Sequence, residues 1–183
     1  MNNGQPVRRR NWLLWVPLGV VIIMAAMFIW ALRHGDDRLI QSHWIDKPLP
    51  AFDLPAAAAD RPGLTSRSFG DGQPRIINLF ASWCIPCRVE APALAELQRR
   101  GVIVEGVAIR DRPEDLARFL GEFGNPYHAI GADERSQLAL ALGSSGVPET
   151  FLIDGRGMIR EQIQGAITPD MVPEIMAKLE RMR

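Results

Sequence analysis

Apolar and polar blocks alternate along the second half of the chain and predict strands and helices in turn. Residues 75–81 form a short apolar run after a Gly-Gln-Pro turn, which indicates a buried strand. Residues 88–100 place leucines among alanines and glutamates and end at Gly101, which predicts a helix with a glycine stop. Residues 102–109 are a second apolar run rich in β-branched side chains. These lengths predict a βαβ unit with parallel strands and a right-handed crossover.

The blocks on either side of this unit complete one domain. Residues 48–55 alternate prolines with apolar residues and predict an edge strand that pairs with residues 64–69 as an N-terminal β-hairpin. The charged residues 133–135 are interpreted as a solvated loop and helix cap. Further elements are predicted as helices 113–121 and 135–142, a short strand near 128–130, a hairpin of strands 149–153 and 158–163, and a final helix opening at Thr168 and Pro169. The predicted fold class is α/β, with a mixed central sheet and helices on both faces.

The N-terminal part of the chain follows a different pattern, with one long apolar stretch. Residues 12–32 are 21 residues without a charge, and a helix of that length spans about 31 Å, the thickness of a bilayer's hydrocarbon core. Trp12, Trp15 and Trp30 lie near its two ends, where indole rings favour the membrane interface. A cleaved signal peptide has a shorter apolar region of roughly 7 to 15 residues, so we expect an uncleaved transmembrane anchor.

The distribution of charge predicts the orientation of this anchor. Residues 1–35 contain four arginines and no acid, whereas the remainder carries 17 basic against 21 acidic side chains. By the positive-inside rule, the N-terminus is predicted to be cytoplasmic and the rest of the chain to be exported. The predicted organisation is a cytoplasmic tail (1–11), a transmembrane anchor (12–32), a linker (33–47) and one domain (48–183).

Both cysteines of the chain, Cys84 and Cys87, lie at the junction between the first predicted strand and the helix that follows it. Unpaired N–H groups at a helix N-terminus stabilise a thiolate, so Cys84 is the predicted nucleophile. Cys87, one turn further on, can attack a mixed disulfide on Cys84 and close an intramolecular disulfide. Pro86 fits the first helical turn, where its missing N–H costs nothing. The formal net charge is zero, so nothing indicates a nucleic-acid partner.

Three other uses of a cysteine pair fit the sequence less well. A zinc site needs about four ligands, and the histidines His34, His43 and His128 are scattered without ligand spacing. Covalent haem attachment requires a histidine after the second cysteine, where Arg88 stands. A structural disulfide across so short a loop would constrain the unfolded chain little. Thiol–disulfide redox chemistry is therefore the favoured interpretation.

The motifs around the cysteines resemble the thioredoxin fold. A Trp-Cys-x-x-Cys motif beginning at Trp83 follows an apolar strand, and Gly146-Val147-Pro148 stands at the head of a later strand. The resemblance covers about residues 70–183. It implies a cis peptide between Val147 and Pro148 beside the two sulfurs, and it implies that Trp83, Val147 and Pro148 contact the substrate.

Four further motifs resemble a narrower family, the membrane-tethered cytochrome c maturation thioredoxins called CcmG or DsbE. They are residues 78–84 (NLFASWC), 88–90 (RVE), 124–127 (GNPY) and 146–154 (GVPETFLID). The resemblance implies a single-pass protein of the bacterial inner membrane with its domain in the periplasm. Its implied task is to reduce the thiols that haem attachment to apocytochrome c requires. A membrane electron transporter of the DsbD or CcdA kind is the implied electron donor.

Proton handling is expected to differ from that of thioredoxin, which carries a buried acid six residues before its first active-site cysteine. Asn78 stands at that position here and cannot take a proton. Glu90 follows Cys87 by three residues on the predicted helix, so it either shares its face or points to solvent. Glu149 follows the proposed cis proline, although strand periodicity does not decide whether Glu149 or Thr150 is buried. A buried carboxylate at either glutamate could exchange a proton with Cys87.

The sequence therefore predicts a thiol–disulfide oxidoreductase that reduces protein disulfides, with Cys84, Cys87, Glu90 and Glu149 as catalytic residues and no metal or organic cofactor. The predicted partner is apocytochrome c or another thiol protein of cytochrome c maturation. Two alternatives stay open. A disulfide oxidase of the same fold would differ in reduction potential. A copper- or haem-handling module is less favoured, because no histidine or methionine is paired with the cysteines.

Overall fold

The computed structural model describes residues 15–33 and 44–183, and the chain divides into two units, Met1–Arg38 and Leu39–Arg183. In the first unit, helix α1 covers Val16–Arg33. Among the residues that the structure describes, no helix is both long enough and apolar enough to cross a membrane.

Several predicted N-terminal segments lie outside the described residues. These are the tail 1–11, the start of the predicted anchor and most of the predicted linker. The last residues of that linker belong to the folded domain, because Trp44 and Ile45 pack against its core. Asp46 adds an ion pair of 2.7 Å to Arg160. These described residues of the predicted linker therefore contact the domain that follows it.

A small antiparallel sheet precedes the main one. Its two strands are β1 over Asp53–Leu54 and β2 over Leu64–Thr65, and they pair in antiparallel register. This pairing confirms the predicted N-terminal hairpin, in a form shorter than the prolines and apolar residues indicated. The strands are short because the prolines of this segment supply no N–H groups to a ladder.

The main sheet has five strands in the order β5-β4-β3-β6-β7. They are β3 (Arg75–Phe80), β4 (Ile103–Ile109), β5 (Ala129–Asp133), β6 (Glu149–Ile153) and β7 (Ile159–Gln164). Strands β3, β4 and β5 are parallel, whereas β6 and β7 run antiparallel to their neighbours. The predicted βαβ unit and the predicted C-terminal hairpin are both confirmed, and the sheet is mixed.

In the part of the chain that the structure describes, four helices pack on the two faces of this sheet. They are α2 (Ile85–Arg99), α3 (Pro113–Phe123), α4 (Gln137–Ala141) and α5 (Val172–Arg181). Helix α3 runs two residues beyond its predicted end and stops at Gly124, whose φ of 90° favours glycine. The predicted start of the last helix is instead a 3-10 turn over Pro169–Met171, which leads into α5.

The two faces of the sheet bury separate apolar clusters. Along β3, Ile76 and Phe80 join the α2-side core, which also contains side chains of α2, α3 and α5. Ile77 and Leu79 join the hairpin-side core, where α4 and the β1-β2 hairpin pack. The alternation follows from strand geometry, since successive side chains point to opposite faces. This separation decides which side chains reach the cysteines.

Asp133 is buried, with 2% of its surface exposed, so the prediction of a solvated loop at this residue is wrong, whereas the prediction of a helix cap is confirmed. Its carboxylate accepts hydrogen bonds from the backbone N–H groups of Gln137, Leu138 and Ala139 at 2.7, 2.9 and 3.1 Å. The first N–H groups of a helix have no partner within the helix, so a carboxylate there completes them. Asp133 therefore caps α4 from the end of β5.

A buried ion pair ties the two central parallel strands together. Arg75 of β3 donates to Glu105 of β4 at 3.0 Å, and their side chains are 5% and 1% exposed. Glu105 also accepts from the backbone N–H of Ala129 at 3.0 Å. Arg75 also donates to the half-exposed Asp71 at 2.5 Å, so loss of Glu105 would leave Arg75 with one carboxylate partner instead of two.

We expect Glu105→Gln to lower the free energy of unfolding by about 2 kcal/mol, because it removes the buried counter-ion of Arg75 and leaves only the half-exposed Asp71 paired with it. Denaturant titration at neutral pH measures the change. Glu96→Gln is the matched control, since Glu96 pairs with Arg99 and Arg100 on the exposed surface of α2. Equal midpoints for the two variants would contradict the structural importance of the buried pair.

Candidate redox site

The cysteine pair lies at the junction between the end of β3 and the start of α2. Cys84 is the N-cap residue of α2, and its Sγ accepts the backbone N–H of Cys87 at 3.2 Å. Pro86 lies in the first turn, and Cys84 and Cys87 form a disulfide with Cα atoms 5.3 Å apart. The expected strand, Cys-x-x-Cys and helix arrangement is thus confirmed. Cys84 sits at the positive end of the helix dipole, where a thiolate is stabilised.

Exposed apolar side chains flank the buried disulfide. Cys84 and Cys87 are 4% and 2% exposed, whereas their neighbours Trp83, Ile85 and Val89 are all more than half exposed. Such a group of apolar side chains on the surface is a suitable contact for an extended substrate segment. Trp83 also lines a groove of about 320 Å³ that continues along α3.

An aspartate from a distant loop fixes the turn that carries Trp83. Both the backbone N–H and the hydroxyl group of Ser82 donate to the carboxylate of Asp111 at 2.6 Å. The guanidinium of Arg88 donates to the Ser82 carbonyl at 3.4 Å and lies over the ring of Phe123. The sequence gives no indication of this contact, because no local pattern links residues 29 positions apart.

The peptide bond between Val147 and Pro148 is cis, as the resemblance to thioredoxin implied. Pro148 is buried and directly precedes β6. Glu149 at the start of β6 pairs with Leu79 near the end of β3. Pro148 therefore lies at the same end of the sheet as the turn that connects β3 to Cys84. Val147 packs against both cores.

Glu90 is fully buried in the α2-side core, which excludes the solvent-facing alternative. One carboxylate oxygen accepts the Asn78 amide at 3.1 Å, and the other accepts the backbone N–H of Ile167 at 3.3 Å. Burial raises the pKa of Glu90 from 4.5 to about 7, while the two hydrogen bonds oppose the rise. Its helical spacing from Cys87 puts the two side chains on the same face of α2.

Glu149 is also buried but belongs to a different environment. Its carboxylate accepts the backbone N–H of Ser145 at 3.2 Å and the side-chain amide of Gln162 at 2.5 Å. Strand alternation directs Glu149 to the hairpin-side core, whereas Thr150 faces the α2 side and accepts from Asn78. The structure therefore brings Glu90 to the face of the sheet that holds the cysteines, and places Glu149 on the other face.

Tyr127 is the buried residue of this site that sequence reasoning did not assign a role. Its hydroxyl donates to the Asn78 side-chain oxygen at 2.8 Å. The sequence contained it only as part of a family motif, and a tyrosine 49 residues away from its partner gives no local indication of contact. The site thus combines a disulfide at a helix N-terminus with a carboxyl group that titrates near neutral pH, an arrangement suited to thiol–disulfide exchange.

The chain matches the Redoxin family over residues 45–179. It is 39% identical over 158 residues to the thiol:disulfide interchange protein DsbE of Pseudomonas fluorescens biotype C, covering 86% of this chain and 87% of that relative. It is 36% identical over 160 residues to the thiol:disulfide interchange protein HelX of Rhodobacter capsulatus, covering 87% and 90% of the two chains.

Among solved structures, a thioredoxin family thiol:disulfide interchange protein from Chlorobium tepidum TLS is similar with a TM-score of 0.59 and 26% identity. The similarity covers 72% of this chain and 95% of that one. The fold is accordingly thioredoxin-like, as expected from the sequence, and the protein is a thiol–disulfide oxidoreductase. The chain belongs to the Redoxin family and, within it, to the thiol:disulfide interchange proteins DsbE and HelX.

Proposed function

We propose that this protein reduces disulfides during cytochrome c maturation, keeping the haem-binding cysteines of apocytochrome c or the thiols of a maturation partner reduced. The observation that carries the proposal is the cysteine pair at the N-terminus of α2 with the buried Glu90 on the same helix face. The sequence similarity to DsbE and HelX and the motifs shared with that family support the assignment to this pathway.

In the proposed reaction, the Cys84 thiolate attacks a substrate disulfide and releases one substrate sulfur as a thiolate. Cys87 then loses its proton and attacks the Cys84 sulfur, which releases the second substrate sulfur and leaves Cys84 and Cys87 joined. Two electrons pass from the protein to the substrate. Ionised Glu90 accepts the Cys87 proton, and protonated Glu90 returns it when the pair is reduced again. A membrane electron transporter of the DsbD or CcdA kind supplies those electrons.

The substrate is proposed to lie along the cis peptide between Val147 and Pro148, with Trp83 as an apolar contact. The exposure of Trp83 beside the cysteines supports this placement. Glu149 accepts the N–H of Ser145, just before the cis peptide, so its contacts favour support of this loop over proton exchange with Cys87. Both roles of Glu149 are open to the test below.

Residues 12–32 are proposed to anchor the protein in the bacterial inner membrane, with residues 1–11 in the cytoplasm and the domain in the periplasm. The uncharged stretch and the arginines that precede it support this topology. An oxidising compartment also suits a reductase, since newly exported cysteines are oxidised there before haem attachment.

A Cys87→Ala variant expressed in its native membrane should accumulate mixed disulfides on Cys84, because the sulfur that resolves them is gone. Mass spectrometry of the captured proteins is expected to identify cytochrome c or its maturation proteins, together with the electron donor. Cys84→Ala is the matched control and should capture nothing. Recovery of general secreted proteins alone would contradict the assignment to cytochrome c maturation.

Glu90→Gln should slow the Cys87 step about 100-fold at pH 8, because the ionised proton acceptor is lost. The rate for the unchanged protein is expected to rise with pH through about 7, where Glu90 ionises. Stopped-flow measurement of exchange between pH 5 and 9 gives both profiles. Glu149→Gln should keep the rise near pH 7, and a loss of that rise in Glu149→Gln but not in Glu90→Gln would transfer the role to Glu149.

A further inference from the structure

A chain of buried hydrogen bonds leads from the aromatic core to the carboxylate of Glu90. The Tyr127 hydroxyl donates to Asn78 Oδ1 at 2.8 Å. The Asn78 amide nitrogen in turn donates to Glu90 Oε1 and to Thr150 Oγ1, both at 3.1 Å. Asn78, Glu90 and Thr150 have no exposed surface, and Tyr127 is 3% exposed. Every polar group of the Asn78 side chain therefore has a partner.

We propose that Asn78 and Tyr127 are positioning residues for thiol–disulfide exchange, with Tyr127 fixing the orientation of the Asn78 amide so that it always presents a donor to Glu90. This inference rests on the proposed role of Glu90 as proton acceptor. It assigns to Asn78, which has no proton to exchange, the task of controlling a proton held by its neighbour.

The direction of the chain follows from the donor and acceptor groups of an amide. Asparagine has one acceptor atom and one donor atom, and a rotation of 180° would exchange them. That rotation would turn Oδ1 toward the Glu90 carboxylate, which has no proton to share when ionised. Burial and the Glu90 charge hold the pKa of Tyr127 well above its usual value of 10.0, so its hydroxyl keeps its proton and acts as a donor.

The ring of Tyr127 is itself fixed by close packing. It stacks on Phe80 of β3 with ring centroids 4.5 Å apart. On the neighbouring strand, a Cβ added to Gly106 would come within 2.8 Å of the Tyr127 ring. The absence of a side chain at Gly106 thus leaves the space in which Tyr127 reaches Asn78. The orientation of the Asn78 amide therefore depends on the space that Gly106 leaves for the Tyr127 ring.

The Asn78 amide affects the reaction by changing the pH at which the Glu90 carboxyl group loses its proton. A donor stabilises the ionised carboxylate and opposes the effect of burial, so the Asn78 amide lowers the pKa of Glu90. An alternative acid at position 78 would add a second titrating group next to Glu90. Asparagine keeps the hydrogen bond and leaves one proton to control.

The test measures the Glu90 carboxyl group directly and the reaction separately. In the full chain with carbon-13 in its glutamate carboxyl groups, we expect the Glu90 titration to move upward by about one pH unit in Asn78→Ala, since a hydrogen bond to a charged group is worth roughly that much. Tyr127→Phe keeps the ring but removes the hydroxyl that orients Asn78. We expect it to move the Glu90 titration upward by a smaller amount. The rise in exchange rate with pH should move by the same amounts.

Gly106→Ala and Gly131→Ala form a matched pair that separates positioning from packing. Both substitutions crowd a strand of the main sheet, but a Cβ at Gly131 would meet Leu54 at 2.7 Å, on the hairpin side. We expect Gly106→Ala to shift the Glu90 titration upward and Gly131→Ala to leave it unchanged. Equal effects of the two variants would overturn the proposal.

Failure of this inference can be told from failure of the proposed function. If Glu90→Gln abolishes the rise in rate near pH 7 while Asn78→Ala and Tyr127→Phe leave both the rise and the Glu90 titration in place, the positioning role is overturned alone. If Glu90→Gln leaves the rise in place, Glu90 is not the proton acceptor and both are overturned. In the Glu90→Gln background, Asn78→Ala should cause no further change in the pH profile.

Discussion

A carboxyl group buried beneath a helix must be held by donors, because an ionised group away from water is unstable without them. Glu90 meets this condition through Asn78 on one side and the N–H of Ile167 on the other. The unfolded chain releases this proton near 4.5 and the folded chain near 7, so folding stability falls as pH rises between those values. Such a cost is typical of groups placed for reactivity, and here it lies on the helix that carries both cysteines.

The mixed sheet determines which of the two buried glutamates lies on the face that holds the cysteines. Strand β6 directs Thr150 toward α2 and Glu149 toward the hairpin-side core. The glutamate on the helix and the threonine on the strand therefore meet at Asn78, whereas Glu149 holds the loop before the cis proline. The two candidate acids are separated by the sheet itself, and each has contacts suited to a different task.

Features encoded by short stretches of neighbouring residues could be predicted from the sequence. The order of strands and helices, the place of Cys84 at a helix N-terminus and the burial of β3 follow from short runs of residues, and the structure confirms them. The cis proline came from family resemblance, since an isolated X-Pro bond is cis in only about 5% of cases.

Contacts between distant residues could not be predicted in this way. Asp111 clamps Ser82, and Tyr127 orients Asn78, across separations of 29 and 49 residues. The same limit explains Asp133, whose charge indicated solvent although its carboxylate caps α4. A polar side chain is predicted to be exposed unless its hydrogen-bond partners in the core are known, because buried polar groups require such partners.

In the proposed mechanism the cysteine pair works as a reductant. The N-terminus of α2 stabilises the Cys84 thiolate, and Glu90 exchanges the proton of Cys87. The reduction potential of the pair in the full chain, equilibrated with glutathione buffers at pH 7, tests this claim most directly. We predict a value near that of thioredoxin, about −270 mV. A value near that of the oxidant DsbA, about −120 mV, would show that the pair donates its disulfide and would contradict the account.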